Sequence, residues 1–139
     1  MDIDKPLQRR QVITAFLRHE GKIMIMRRST QVGSYRGRWS GVSGYLEDPT
    51  PLDQALREIQ EETGLTPERV RLKRSGSPLE VAAPEIETLW VVHPFLFEID
   101  DLESIQLDWE NTETRWVEPR DLGTYDTVPK LAEALERCL

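Results

Sequence analysis

The stretch "LREIQEETGL", Leu56–Leu65, decides how this chain reads. Four charged residues, Arg57, Glu58, Glu61 and Glu62, crowd in just ahead of a threonine and a glycine. Upstream, Thr50 suits a helix cap, Pro51 suits the first helical position, and Asp53 stands three residues after the cap. Gly64 occupies the place where a left-handed residue ends a helix. Leu52, Ala55, Leu56 and Ile59 recur at i, i+3, i+4 and i+7, so the spacing predicts an amphipathic helix over 51–63. On that wheel Glu58, Glu61 and Glu62 fill a sector roughly 100° wide, beside the buried stripe rather than opposite it. Like charges at these spacings repel by a few tenths of a kcal/mol per pair. A hard divalent cation, Mg²⁺ or Mn²⁺, removes that cost and brings substrate phosphates with it. The bland alternative is a solvated acidic face.

The flanking sequence favours the cation. "MRRSTQVGSYRGRW", Met26–Trp39, carries Arg27, Arg28, Arg36 and Arg38 and no acid. "WSGVSGYL" follows, with Gly41 and Gly44 allowing backbone to approach a ligand closely. Phosphate, divalent metal and arginine fit one another chemically.

Further out, "QVITAFLRHEGKIMIMRRS" predicts two strands around a turn at Glu20-Gly21. Val12, Thr14 and Phe16 alternate with Ile13, Ala15 and Leu17, both sets largely apolar, as in a strand buried on both faces. "RVRLKRSG" and "PLEVAA" read as weaker, more exposed strands. "TLWVVHPFLFEI", Thr88–Ile99, is the strongest strand signal, although Pro94 implies an edge or a bulge. "TETRWVEP" is a further strand, and "VPKLAEALERCL" a closing amphipathic helix with Leu131, Ala134, Leu135 and Cys138 on one face. Elements in this order make a mixed α/β domain.

At 139 residues the expectation is one domain, 1–139, with a core of its own. A content of 38% hydrophobic and 31% charged residues is that of an ordinary soluble protein. No apolar run approaches the roughly 20 residues that cross a bilayer. The opening "MDIDKPLQRRQ" is charged where a secretory leader is apolar, and Cys138 is the single cysteine. A cytoplasmic protein is therefore expected. The net charge of −7, from 18 basic and 25 acidic residues, opposes binding of long nucleic acid.

"GYLEDPTPLDQALREIQEETGL" resembles the Nudix box, G-x5-E-x7-R-E-U-x-E-E-x-G-U, where U is bulky and aliphatic. Arg57, Glu58, Ile59, Glu61, Glu62, Gly64 and Leu65 match its second half without a gap. The first half departs from it. Counting back from Arg57, the family's glutamate falls on Pro49 and its glycine on Ser43; matching Gly44 instead removes one residue from the loop. Glu47 and Asp48 are the nearby acids.

The resemblance implies a Nudix-like α/β/α sandwich around a mixed sheet, with the box at about 44–65. It implies hydrolysis of a diphosphate linkage in a nucleoside diphosphate joined to another group, with Mg²⁺ or Mn²⁺. Glu58, Glu61 and Glu62 would bind the metal, the backbone around Ser43 and Gly44 could offer a carbonyl, and Arg57 would orient a glutamate. The base that takes the water's proton would be Glu58 or Glu62, or else Glu110 or Glu113 in "DWENTETRW". Arg28 and Arg38 are the arginines best placed for phosphate, and Trp39 and Trp109 are the candidates for stacking on a base. The implied partner is a small nucleotide or nucleotide sugar, without long nucleic acid or membrane; a homodimer is common in this fold. The competing reading is a Nudix-fold module that binds or senses a nucleotide without cutting it.

Overall fold

The computed structural model describes residues 6–139. Its strands are β1 (Gln8–His19), β2 (Lys22–Arg28), β3 (Trp39–Ser40), β4 (Val42–Tyr45), β5 (Val70–Ser75), β6 (Leu79–Ala83), β7 (Thr88–Ile99) and β8 (Asn111–Val117). They join in one mixed sheet, with β1 and β7 parallel at its centre and every other named pairing antiparallel. Helix α1 (Pro51–Thr63) packs on one face and α2 (Leu131–Glu136) on the other, which is the expected α/β/α sandwich.

Strand β1 shows why both faces are covered. Ile13, Ala15 and Leu17 join the α1-side core, and Phe16 joins the α2-side core. The same alternation runs through β2, with Met24 and Met26 on one side and Ile23 and Ile25 on the other.

Two edges change partner part-way along. Strand β2 pairs with β1 only at Arg18 and His19, then diverges to pair with β3 and β8. β4 takes over the vacated edge at Val12–Ala15 and leads directly into α1. On the far side, β6 pairs with Thr88–Val92 of β7 and β5 with Phe95–Ile99.

Pro94 falls in that second changeover, which corrects the expectation of an edge or bulged strand: β7 is central. Its carbonyl accepts from Gly76 N at 2.9 Å, and its missing N–H points the same way, into the gap between β6 and β5. A proline there removes no ladder hydrogen bond. Strand β6 is less exposed than expected, since Leu79, Val81 and Ala83 are buried on one face. The closing helix is shorter than its pattern, because Lys130 adopts a left-handed conformation (φ 60°) and leaves Val128 and Pro129 outside it. Leu131, Ala134, Leu135 and Cys138 are buried as expected. Among the described residues no helix is long and apolar enough to cross a membrane.

Candidate active site

Helix α1 carries the site, and its ends are set locally. Thr50 Oγ1 accepts from Asp53 N at 3.1 Å, and Gly64 (φ 80°) closes the last turn through its N–H to Gln60 O at 2.9 Å. Ala55 and Ile59 are fully buried, with Leu52 and Leu56 packed more loosely beside them. Burial spreads beyond this apolar stripe to Gln54 and Glu62, on the flank of α1 that faces β4. Two polar side chains are thus drawn inside.

Glu62 is 2% exposed. Its carboxylate is held by Asn111 Nδ2 at 3.1 Å and by the Ser43 N–H at 3.2 Å. Glu58 lies one turn back and rests against Gly44. A Cβ on Gly44 would stand 2.7 Å from Glu58 Cγ and closer still to the carboxylate, so only glycine leaves this cradle open. On its other side Glu58 accepts from Gln54 Nε2 at 3.0 Å.

Burial, and next the charge of Glu61, push Glu58 from its ordinary 4.5 up to about 7; hydrogen bonds with Glu62 and Gln54 pull part of the way back. Burial and then the charge of Glu58 push Glu62 well above the usual carboxylate range, against the Asn111 hydrogen bond. Glu110 is raised by burial and by Asp108, with Arg28 opposing. Burial and mutual repulsion thus oppose ionising Glu58 and Glu62 together, a cost that a cation between them would relieve. Among the described residues no three carboxylate, histidine or cysteine side chains already stand in ligating geometry. The donor set nevertheless fits a hard divalent cation: all oxygen, on one rigid helix, and mutually repelling.

These carboxylates border a cleft of about 930 Å³. Glu58, Glu61 and Glu110 line it with Ser43 and Gly44, and Arg28, Arg38 and Trp109 line it as well. Tyr45 and Trp90 add aromatic surface, their ring centroids 6.0 Å apart, and Trp90 Nε1 donates to Tyr35 OH at 3.0 Å. Carboxylates, arginines and aromatic faces in one cleft suit a phosphorylated ligand with an aromatic group. The model of the NUDIX domain family matches residues 7–138.

The chain belongs to the NUDIX family. A Mycobacterium tuberculosis (strain H37Rv) protein with the provisional name 8-oxo-dGTP diphosphatase 3 is 25% identical over 122 residues, covering 86% of this chain. The chain spans about half the length of that relative, 56% of it. Among solved structures, a C. elegans Ap4A hydrolase superposes with a TM-score of 0.75 at 17% identity, over 92% of this chain and 93% of that one. The MutT protein of Methanosarcina mazei Go1 gives 0.73 at 22% identity, over 98% and 95%. The NUDIX domain of Shewanella oneidensis NrtR, complexed with ADP ribose, gives 0.70 at 14% identity, over 97% and 87%. At these identities the solved structures establish the fold alone.

Two expected NUDIX site residues lie elsewhere. Trp39 is 7% exposed, its ring edge-on to Tyr125 at 5.9 Å, with the Arg115 guanidinium 5.2 Å from its centroid. It is a core residue, because its place in β3 turns the indole into the α2-side core. Arg57 was expected to orient a glutamate; its partner is Asp48, at 2.6 Å. One residue along a helix is about 100° of rotation, which turns Arg57 out of the cleft and toward the loop before α1. Of the two nearby acids, Asp48 is therefore the one that meets the box arginine.

Other placements separate the remaining candidates. Arg28 Nε is bonded to Ser34 O at 2.9 Å, which keeps its side chain at the cleft wall, and Arg38 stands beside the Tyr35 ring. Arg27 pairs with Glu113 and Arg36 bonds Val32 O, so these three stand apart from the cleft-lining set. Trp109 is 64% exposed at the rim. Four contributors escaped the sequence reading: Gln54, Asn111, Tyr45 and Trp90. Asn111 carried no local signal, since it stands just ahead of the strand read as "TETRWVEP" and 49 residues beyond Glu62.

Proposed function

We propose that the protein is a pyrophosphohydrolase that cleaves a diphosphate bond in a nucleoside diphosphate linked to another moiety, using Mg²⁺ or Mn²⁺. The supporting observation is one cleft lined by the carboxylates Glu58, Glu61 and Glu110 together with the arginines Arg28 and Arg38, with Glu62 buried beside it. Glu58, Glu61 and Glu62 would hold the cation, with the backbone at Ser43 and Gly44 beside them. A cation held there would supply neutralisation of the phosphate oxygens and acidification of the attacking water. Arg28 and Arg38 bind the remaining phosphate charge. Trp109 at the rim and Tyr45 packed on Trp90 offer faces on which a base stacks.

Glu110 accepts the proton of the attacking water. It lies in the cleft but off the metal-binding helix, whereas Glu113 is spent on Arg27. Burial and the charge of Asp108 raise its proton affinity above that of a free carboxylate, which strengthens it as a base. A cytoplasmic setting, a single-domain chain and a homodimer belong to the same reading.

The test is product analysis by mass spectrometry, with Mn²⁺ or Mg²⁺ and a pooled panel of nucleoside diphosphate derivatives. One compound should split into two phosphorylated halves, and a Glu61→Gln, Glu62→Gln double variant should leave it whole. The second reading is a NUDIX-fold module that binds a nucleotide without cutting it. It predicts no products with either protein, while a nucleotide still raises the melting temperature.

A further inference from the structure

Gln54 is 1% exposed, yet it is a primary amide with four hydrogen-bonding capacities. Its Oε1 accepts from two successive backbone amides of the loop before α1, Glu47 N and Asp48 N, each at 2.8 Å. Because both of those partners are donors, the atom facing them must be the oxygen. The nitrogen then necessarily faces Glu58, and Nε2 donates to Glu58 Oε1 at 3.0 Å. The spacing of four residues puts Gln54 directly one turn behind Glu58 on the same face. Glu58 is thereby fixed from two directions, by this amide and by the Gly44 cradle.

We infer that Gln54 is a positioning residue that couples the shortened loop to the metal-binding glutamate. Proline at position 49, where the family pattern has a glutamate, offers no side-chain acceptor to the neighbouring Glu47 and Asp48 amides. Gln54 binds those amides from the helix side instead. The same carboxamide sets the rotamer of Glu58, so any slackening of the loop is felt at the site. This inference rests on the proposed role of Glu58 in holding a cation. It assigns to Gln54 a role that the box pattern, silent at this position, does not.

The experiment is a double-mutant cycle between Gln54→Met and Glu58→Gln, read by Mn²⁺ titration calorimetry without substrate, by kcat and KM, and by metal-free melting. In the wild-type background, Gln54→Met should weaken Mn²⁺ binding about tenfold and lower kcat up to about 100-fold, as loss of an outer-shell partner does. In the Glu58→Gln background the same change should leave Mn²⁺ affinity nearly unaltered, while the drop in melting temperature is equal in both. Equal losses of affinity in both backgrounds, or a lower melting temperature with affinity and kcat intact, overturn the inference. If wild type binds no Mn²⁺ and cuts nothing, the functional reading itself has failed. Should Gln54→Met not fold, hydrogen exchange on the wild type decides: the Glu47 and Asp48 amides must be protected, and exchange at free-loop rates overturns the coupling.

Discussion

Gly44→Ala separates the fold from the site. A Cβ there would lie 2.7 Å from Glu58 Cγ and nearer to its carboxylate, so Glu58 must move. The obstructing atoms are the far end of a flexible, partly exposed side chain, and Gly44 is not among the glycines with positive φ. The backbone therefore accepts alanine without strain. Reduced freedom of the unfolded chain stabilises by about 0.4–1 kcal/mol. Losing the Gln54–Glu58 hydrogen bond costs about 1 kcal/mol. The two nearly cancel, and the metal-free melting temperature should stay within about 4 °C of wild type. Chemistry has no such compensation. Glu58 swung from its place by an ångström or more should cost roughly 100-fold in kcat. Calorimetry on the metal-free protein and steady-state kinetics on the best substrate read the two arms. A melting temperature lower by more than about 10 °C, or activity within a few-fold of wild type, would refute the reasoning. Gly76→Ala is the control with the opposite outcome: its Cβ meets the backbone oxygen of Arg137 at 2.8 Å, so stability falls while kcat holds.

Other consequences can be checked with the same material. The metal-free native state keeps a proton on Glu58 up to about pH 7 that the unfolded chain releases near 4.5, so this contribution is complete below pH 4.5 and is lost as pH rises through 7. The full rise corresponds to roughly 3 kcal/mol; partial exposure and solvent screening reduce it to about 1 kcal/mol, or a melting temperature about 4 °C lower at pH 8 than at pH 5. Glu58→Gln should make that slope shallower, the remainder belonging to Glu62, and a metal-free melting temperature that climbs over this range would count against the buried pair. The two tryptophans should behave oppositely. Trp39→Ala empties a core position and should cost about 3–5 kcal/mol in denaturant unfolding. Trp109→Ala should leave stability alone and raise KM for a nucleotide about tenfold or more, by loss of stacking; an unchanged KM would remove Trp109 from the base site.

Much of the molecule was legible in local order. Helix α1 announced itself from Thr50 to Gly64, because caps and a 3.6-residue period act within a few residues of one another. The three glutamates of one turn and a half, and the family they signal, were equally local. The strands of the two buried faces could be read from alternation, as in β1. What lay outside that reach was decided by pairing across the sheet. Pro94 looked like an edge residue until β5 and β6 divided the flank of β7 between them. Trp39 and Trp109 read alike as aromatic residues near the box, and only the sheet buried one and left the other at the rim. Asn111, 49 residues beyond Glu62, became its hydrogen-bond donor because β8 pairs with β2 and so returns to the site. Local sequence sets helix, caps and chemistry, since those interactions span single turns; the neighbours of each carboxylate, and hence its proton, are set by contacts between distant strands that no short window contains.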